Sequence, residues 1–384
     1  MVYMRPSATN HQIRRAFLVA LSGLSGVGAR TSRKIITACQ QYQLSEEEFW
    51  ANRQQIWQKI PLSEETIESI KKFQKEQSLL DNLEHLQASG LQVLTYEDQA
   101  YPPLLLASDD FPTVLFVRSR YRVGDAAWQA AFAKTISVVG TRKMTGYGKL
   151  VLRQLLPPLL AAGKTIVSGF MYGVDLEAAR LTVEKGGQTI AVLGYGLEHC
   201  FPQRQKQMME EFYETGAIFL SEFMPAVPPV AANFVMRNRI VAALSPATLI
   251  IEAAARSGSH ITAAYANEYG RLVLAVPGPI TNPFSEGTKD LIRQGATLVN
   301  SGQDILTVLN EDYHAVIEQA NSQVGDPSQQ RILELLANQS ELSLEELHAE
   351  SALESTKLHQ LLFELELQGK IGRNFGKYCL IAPL

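Results

Sequence analysis

The chain has 384 residues, of which 46% are hydrophobic, and a formal net charge of −4. That length buries a large core and implies two or three domains. The three cysteines, Cys39, Cys200 and Cys379, stand far apart with no CxxC spacing. This excludes a disulfide framework and a zinc site, and points to a reducing compartment. No stretch approaches the run of about eighteen apolar residues that a membrane span needs, and residues 1–12 lack the apolar segment of a signal peptide. The cytoplasm is the expected compartment, with no membrane contact, no metal and no cofactor.

Residues 1–85 are predicted to form a helical N-terminal domain, because segments 14–21, 32–42, 45–52 and 64–89 carry apolar residues at helical spacing. Leu24-Ser25-Gly26-Val27-Gly28-Ala29-Arg30, followed by Ser32-Arg33-Lys34, has the form of a helix–hairpin–helix (SAM-like) motif. The two glycines let the turn approach a phosphate, and the next helix offers free N–H groups to it. Gly26, Gly28, Arg30, Arg33 and Lys34 are therefore candidates for a second DNA contact; the alternative is a tight turn between two core helices. Residues 1–34 hold Arg5, Arg14, Arg15, Arg30, Arg33 and Lys34 and no acid. A solvated basic end is the competing reading of that charge run.

From residue 86 to 310 the pattern changes. Short β-branched runs at 93–96, 114–118, 136–140, 165–168, 189–193, 217–221, 248–252, 272–276 and 297–299 alternate with helical stretches. This predicts an α/β, Rossmann-like domain of parallel strands and crossover helices, with strands buried on both faces. Four of the strands end in small or polar residues, where an open parallel sheet binds its ligands. Gly140-Thr141-Arg142, Ser168-Gly169, Gly194-Tyr195-Gly196 and Arg256-Ser257-Gly258 are these ends. Glycine and serine at helix starts make anion sites from backbone N–H groups, and Arg142 and Arg256 add forks suited to phosphate. Neither the dinucleotide fingerprint at Gly194 nor the phosphate-loop ending at Gly163-Lys164-Thr165 survives inspection. His199 replaces a required glycine in the first, and the second leads from a helix into a strand.

Asn233-Phe234-Val235-Met236-Arg237-Asn238-Arg239 combines arginine for phosphate, asparagine for base edges and phenylalanine for stacking, the residue types that single strands need. Arg237 is then expected to carry much of the salt-dependent binding. The alternative is a helix start pinned by a buried ion pair to Glu222 or Glu252. After a helical linker, residues 327–384 read as helix, helix, helix and hairpin, the plan of a winged-helix C-terminal domain. From 328 to 384 five basic residues face eight acidic ones, so this tail is expected to contact protein rather than phosphate.

In this order the motifs resemble the DNA-processing (DprA/Smf) family. They are Val139-Gly140-Thr141-Arg142, Ser168-Gly169 with Gly173-Val174-Asp175, Leu220-Ser221-Glu222, Asn233-Phe234 with Arg237, Glu252-Ala253 with Ser257-Gly258, and Val276-Pro277-Gly278. The resemblance is strong from about residue 101 to 309 and loose at both ends. It implies an extended Rossmann-like domain that binds single-stranded DNA and forms a homodimer. It also implies help in loading a RecA-type recombinase on DNA taken up in natural transformation, without catalysis. Carried over by motif, the gripping positions are Gly140, Thr141, Arg142, Ser168, Gly169, Arg237, Ser257 and Gly258. Asn233, Phe234, Asn238 and Arg239 lie beside them, and Lys289 stands at a rim position.

The chain departs from the family pattern at Ala179, at Lys289 and at Phe201-Pro202. Two other readings stay open on the same fold. One is a nucleotide hydrolase using Glu252 and Asp175, although the Arg256–Thr262 loop lacks the glycine cluster of such enzymes. The other is a binder of a small nucleotide.

Overall fold

The structure, a computed structural model, describes residues 10–51, 57, 60, 62–76, 78–311, 327–339, 341–367, 370–374 and 377–380. Arg5, most of the linker expected before residue 327 and the glycine turn expected in the tail hairpin lie outside the described residues. The fold is α/β: a helical N-terminal part, an extended Rossmann-like sheet and a C-terminal winged helix.

Nine strands form the central sheet: β1 (Gln92–Thr95), β2 (Val114–Arg118), β3 (Thr135–Val139), β4 (Thr165–Ser168), β5 (Thr189–Val192), β6 (Ile218–Ser221), β7 (Ala247–Ile250), β8 (Leu272–Ala275) and β9 (Thr297–Leu298). Their order is β1-β2-β6-β5-β4-β3-β7-β8-β9. From β6 through β3 to β9 every pairing is parallel. The sequence pattern predicts parallel strands throughout, and the first two strands correct it: β1 pairs antiparallel with β2, and β2 antiparallel with β6. Apolar continuity reports burial rather than direction. β1 and β2 are buried on both faces, against the N-terminal part on one and Tyr101, Leu105 and Trp128 on the other, so they read like parallel strands.

The cover is a shared core. Phe17, Phe49 and Trp57 from the N-terminal part belong to one cluster with Phe116, Phe170 and Phe219 of the sheet region. Further along the same face, Leu152, Leu155 and Leu159 of helix Gly146–Ala161 pack with Val174, Ala178 and Ile305, while Trp128, Ile240 and Ala263 cover the opposite face against Val167, Ile190 and Leu220. The long helix expected over 64–89 is instead two, Glu64–Glu76 and Leu79–Ala88.

The tail has a core of its own built on Ile332, Leu336, Leu347, Leu361 and Ile371. Its helices span Pro327–Gln339, Leu344–Ser351 and Ser355–Leu367. The N-cap expected at Ser343 is a full capping box with Glu346. A short strand Glu341–Leu342, too brief to show in the sequence pattern, joins Lys377–Leu380 and Ile371–Asn374 in a three-stranded sheet.

Strand order reverses at β3, which hydrogen-bonds to β4 on one side and β7 on the other. The chains leaving β3 and β7 pass to helices on opposite faces of the sheet there, and in open α/β sheets that is where a crevice forms and ligands bind.

Candidate nucleic-acid interface

A cavity of about 780 Å³ occupies this switch point. Gly140, Thr141 and Arg142 line it from the end of β3, Gly169 and Asp175 from the end of β4, and Arg256, Ser257 and Gly258 from the loop after β7. Helix Ala231–Ala243 closes one side with Phe234, Arg237 and Asn238. Segments more than a hundred residues apart thus meet at one sheet edge.

Local chemistry fixes the loops. Glu252, at 1% exposure, accepts from Thr145 N at 2.8 Å and from Thr145 Oγ1 at 2.6 Å, with Asn282 Nδ2 at 3.3 Å. Thr145 is the N-cap of helix Gly146–Ala161. The carboxylate therefore ties the β7 end to the start of that helix, and the Arg142–Lys143 segment is held between these anchors. Glu252 has its hydrogen-bonding capacity taken up structurally, which disfavours it as an acid–base group. Gly140 has no room for a side chain: a Cβ would lie 2.6 Å from Val174 Cγ2 and 2.8 Å from Glu252 O.

The arginines separate into two kinds. Arg142 is exposed, with its Cζ 5.8 Å from the Phe234 ring centre. Lys143 and Arg256 are also exposed at the cavity. Arg237 and Arg239 are not available in this way, which corrects their reading as exposed phosphate grips. Arg237 is 2% exposed and points into the protein, donating to Gly169 O at 2.5 Å and to Val192 O. Arg239 is also buried, paired with Glu222 and donating to Asp110 O at 2.8 Å. The buried pair to Glu222, the alternative weighed from sequence, is what Arg239 makes. Two residues apart on a helix, the side chains diverge: Arg237 reaches the ends of β4 and β5, and Arg239 reaches Glu222 and Asp110, while Asn238 between them stays half-buried at the crevice.

Asp175 is the one carboxylate among the described residues lining the crevice. Its Oδ2 accepts from Gly169 N at 3.0 Å. Burial pushes this carboxyl up to about 6, against the pull of Arg237 and the backbone donors. Burial likewise lowers the Arg237 guanidinium, to about 10, against the pull of Asp175. Gly169 separates them: a Cβ there would fall 2.6 Å from both Arg237 Nη2 and Asp175 Oδ2. The floor of the crevice is therefore a compensated buried pair, and its free positive charge sits at the rim.

The remaining sequence candidates divide similarly. Phe234 lines the crevice in edge contact with Tyr195 at 6.0 Å and tilted against Phe201 at 5.6 Å. Ser257 Oγ is held by Ser259 Oγ at 2.8 Å, and Gly258 stands free, with open space where its Cβ would be. Ser168 is fully buried below the crevice rather than facing it. Asn233 sits in the first turn of the same helix as Phe234. Lys289 is paired with Glu286 at 2.6 Å and reaches Ile280 O at 3.4 Å, which corrects its placement at the pocket rim. Its partner lies one helical turn away, a spacing that favours local pairing over reach.

In the N-terminal part the basic run is largely spent. Arg14 pairs with Glu46 and Glu97, and Arg15 with Asp98. Arg33 stacks over Phe111 at 4.5 Å and donates to Asp109 O. Arg30 and Lys34 stay exposed beside Gly28, the N-cap of helix Ala29–Gln41, and Gly26 takes φ +75° in the turn. The motif's fold is present, with two of its three expected cations outward. Lys143, Phe201, Met171 and Phe284 also belong to the crevice region and escaped the motif reading. An exposed aromatic followed by proline at 201–202 was the available signal for Phe201.

An open sheet with a switch-point crevice rimmed by Arg142, Lys143 and Arg256 defines an extended Rossmann-like protein with an anion-accepting edge. Comparison narrows the class. The sequence profile of the DNA recombination-mediator protein A family matches residues 92–310, and the winged-helix domain of DprA matches 318–377. Protein Smf of Escherichia coli is 38% identical over 307 residues, covering 78% of this chain and 80% of that protein. The crystal structure of DNA processing protein A from Streptococcus pneumoniae superposes with a TM-score of 0.62 at 26% identity, over 79% of this chain and 98% of that one. DNA processing protein A from Helicobacter pylori, described for its single-stranded DNA binding mode, superposes with a TM-score of 0.50 at 29% identity, over 58% and 98%. The chain belongs to the DNA recombination-mediator protein A (DprA/Smf) family.

Proposed function

We propose that this chain binds single-stranded DNA at the switch-point crevice and acts as a recombination mediator without chemistry of its own. The observation that carries the reading is the rim: exposed Arg142, Lys143 and Arg256 face a cavity whose one carboxylate is already matched by Arg237. Backbone N–H groups at the starts of the flanking helices add donors for the same phosphates. Phe234 beneath Arg142 supplies a face for a base, and stacking of that kind is worth about 1–3 kcal/mol per base. The Helicobacter pylori relative's single-stranded DNA binding mode supports the same assignment.

The contacting set is Gly140, Thr141, Arg142, Gly169, Phe234, Asn238, Ser257 and Gly258, with Lys143 and Arg256 added. Arg237 acts from beneath by holding Gly169 and Asp175. Arg30 and Lys34 are the proposed second contact. We assign these roles to three parts: residues 1–85, 86–310 and 327–384. Loading of a RecA-type recombinase during transformation, a homodimeric state and a cytoplasmic setting belong to this reading, supported by family membership. Among the described residues no helix is long and apolar enough to cross a membrane. The acidic tail is the proposed protein-contacting part.

Titration against labelled single-stranded and double-stranded oligomers of one sequence tests the reading. Tighter binding of the single strand is expected. Equal affinity for both forms, or binding confined to mononucleotides, contradicts it and favours the small-nucleotide alternative.

A further inference from the structure

The loop after β4 is built to display side chains. Phe170 takes φ +54° although it is a bulky residue, a conformation that is costly unless its surroundings impose it. They do: its ring is held edge-on between Phe212 at 5.8 Å and Phe219 at 5.5 Å in the core. With Phe170 held inward, Met171 stays buried and Tyr172 is half-buried, and Gly173 at φ +83° returns the chain to helix Val174–Glu184. Met171 lines the crevice. Tyr172 stands beyond it and is covered by Arg204, whose Cζ lies 4.4 Å from the ring centre and whose Nε donates to the hydroxyl at 2.5 Å.

Arg204 follows by three residues the exposed Phe201, which touches Phe234. Arg142, Phe234 and Phe201 touch in series, and the Arg204–Tyr172 stack follows three residues along the chain from Phe201. Lys206 adds an exposed charge on the same flank. The nearby Glu210 is neutralised by Arg118 at 3.0 Å, while Glu198 remains exposed.

We propose that this flank is a second nucleotide subsite, over which an unpaired strand leaving the crevice continues, with a base laid on Phe201 or on the outer face of the Arg204–Tyr172 stack and a phosphate on Arg204. The inference rests on the single-strand reading of the crevice and extends it by a base platform. Alternating rings and guanidinium groups suit a strand of any sequence, because every base has a π-face and every linkage a charge.

The test is a length series of oligothymidylates from about 4 to about 16 nucleotides, the span of site sizes in single-strand grooves. Wild type, the double variant Tyr172→Ala/Arg204→Ala, Tyr172→Phe and Arg142→Ala are compared. The double variant is expected to bind the shortest strand like wild type and the longer strands about tenfold more weakly, the loss of one stacked base. Tyr172→Phe keeps the ring and is expected to follow wild type, which a role of the hydroxyl in holding the loop would not allow. If the double variant follows wild type at every length while Arg142→Ala weakens all lengths, the flank is no subsite and the crevice reading stands. If wild type itself fails to prefer any strand, the crevice reading fails and the flank with it.

Discussion

Replacing Arg237 with alanine removes a buried cation that holds Gly169 O and Val192 O and faces Asp175. The sequence motif alone makes this residue a phosphate grip, so the expected loss there is DNA affinity and salt dependence. The structure makes it a stability residue. Asp175 would be left buried and uncompensated, and breaking a buried charge pair costs about 3–5 kcal/mol. With about 2–4 °C lost per kcal/mol in a domain of this size, the melting temperature should fall on the order of 10 °C. Asp175→Asn in the same background should recover part of that loss, because it removes the stranded charge.

Two assays separate the readings: a thermal melt, and the slope of log affinity against log salt on a single-stranded oligomer. Arg237→Ala should melt early and keep the wild-type slope in the fraction that folds. Arg142→Ala should melt normally and lose about 0.7 of slope, one neutralised phosphate. A variant at 237 with wild-type stability and a slope reduced by about 0.7 would refute the reasoning.

Burial holds the Asp175 carboxyl near 6, so the crevice gains positive charge as pH falls through that value. Single-strand affinity should therefore rise between neutral pH and pH about 5. Asp175→Asn should flatten the rise. For folding, the proton binds more tightly to the native state than to the unfolded chain. This group's contribution is therefore full below the ordinary aspartate value and is lost as pH rises to about 6. A urea titration at several pH values measures it. Glu252→Ala frees Thr145 N and Oγ1 at the start of helix Gly146–Ala161. It should cost about 1.5–3 kcal/mol in urea and weaken DNA binding without altering the salt slope, since the charges on Arg142 and Lys143 are retained.

The nine strands and the position of the crevice were legible because buried β-branched runs and glycine-rich strand ends leave direct marks in sequence. Strand direction at that edge was not, since β1 and β2 owe their apolar runs to cover on both faces, from the N-terminal part and from Tyr101, Leu105 and Trp128. Side-chain direction was the larger gap. Arg142, Arg237 and Arg239 look alike as letters; depth in helix Ala231–Ala243 decides that the last two meet Gly169 and Glu222 instead of solvent. Lys289 was misplaced for the same reason, its partner Glu286 sitting one turn away. Phe201 shows in sequence only as a departure from the family pattern, and Tyr172 only as the residue before Gly173 at a helix start. Their neighbours at the crevice come from distant segments and become neighbours only in the fold.

The salt dependence of single-strand binding by Arg142→Ala/Arg256→Ala is the most direct measurement. With Arg142, Lys143 and Arg256 exposed at the crevice, a wild-type log–log slope of about −2 is expected, falling to about −0.7 when Lys143 alone remains. A double variant that kept the wild-type slope and affinity would place the DNA elsewhere on the molecule.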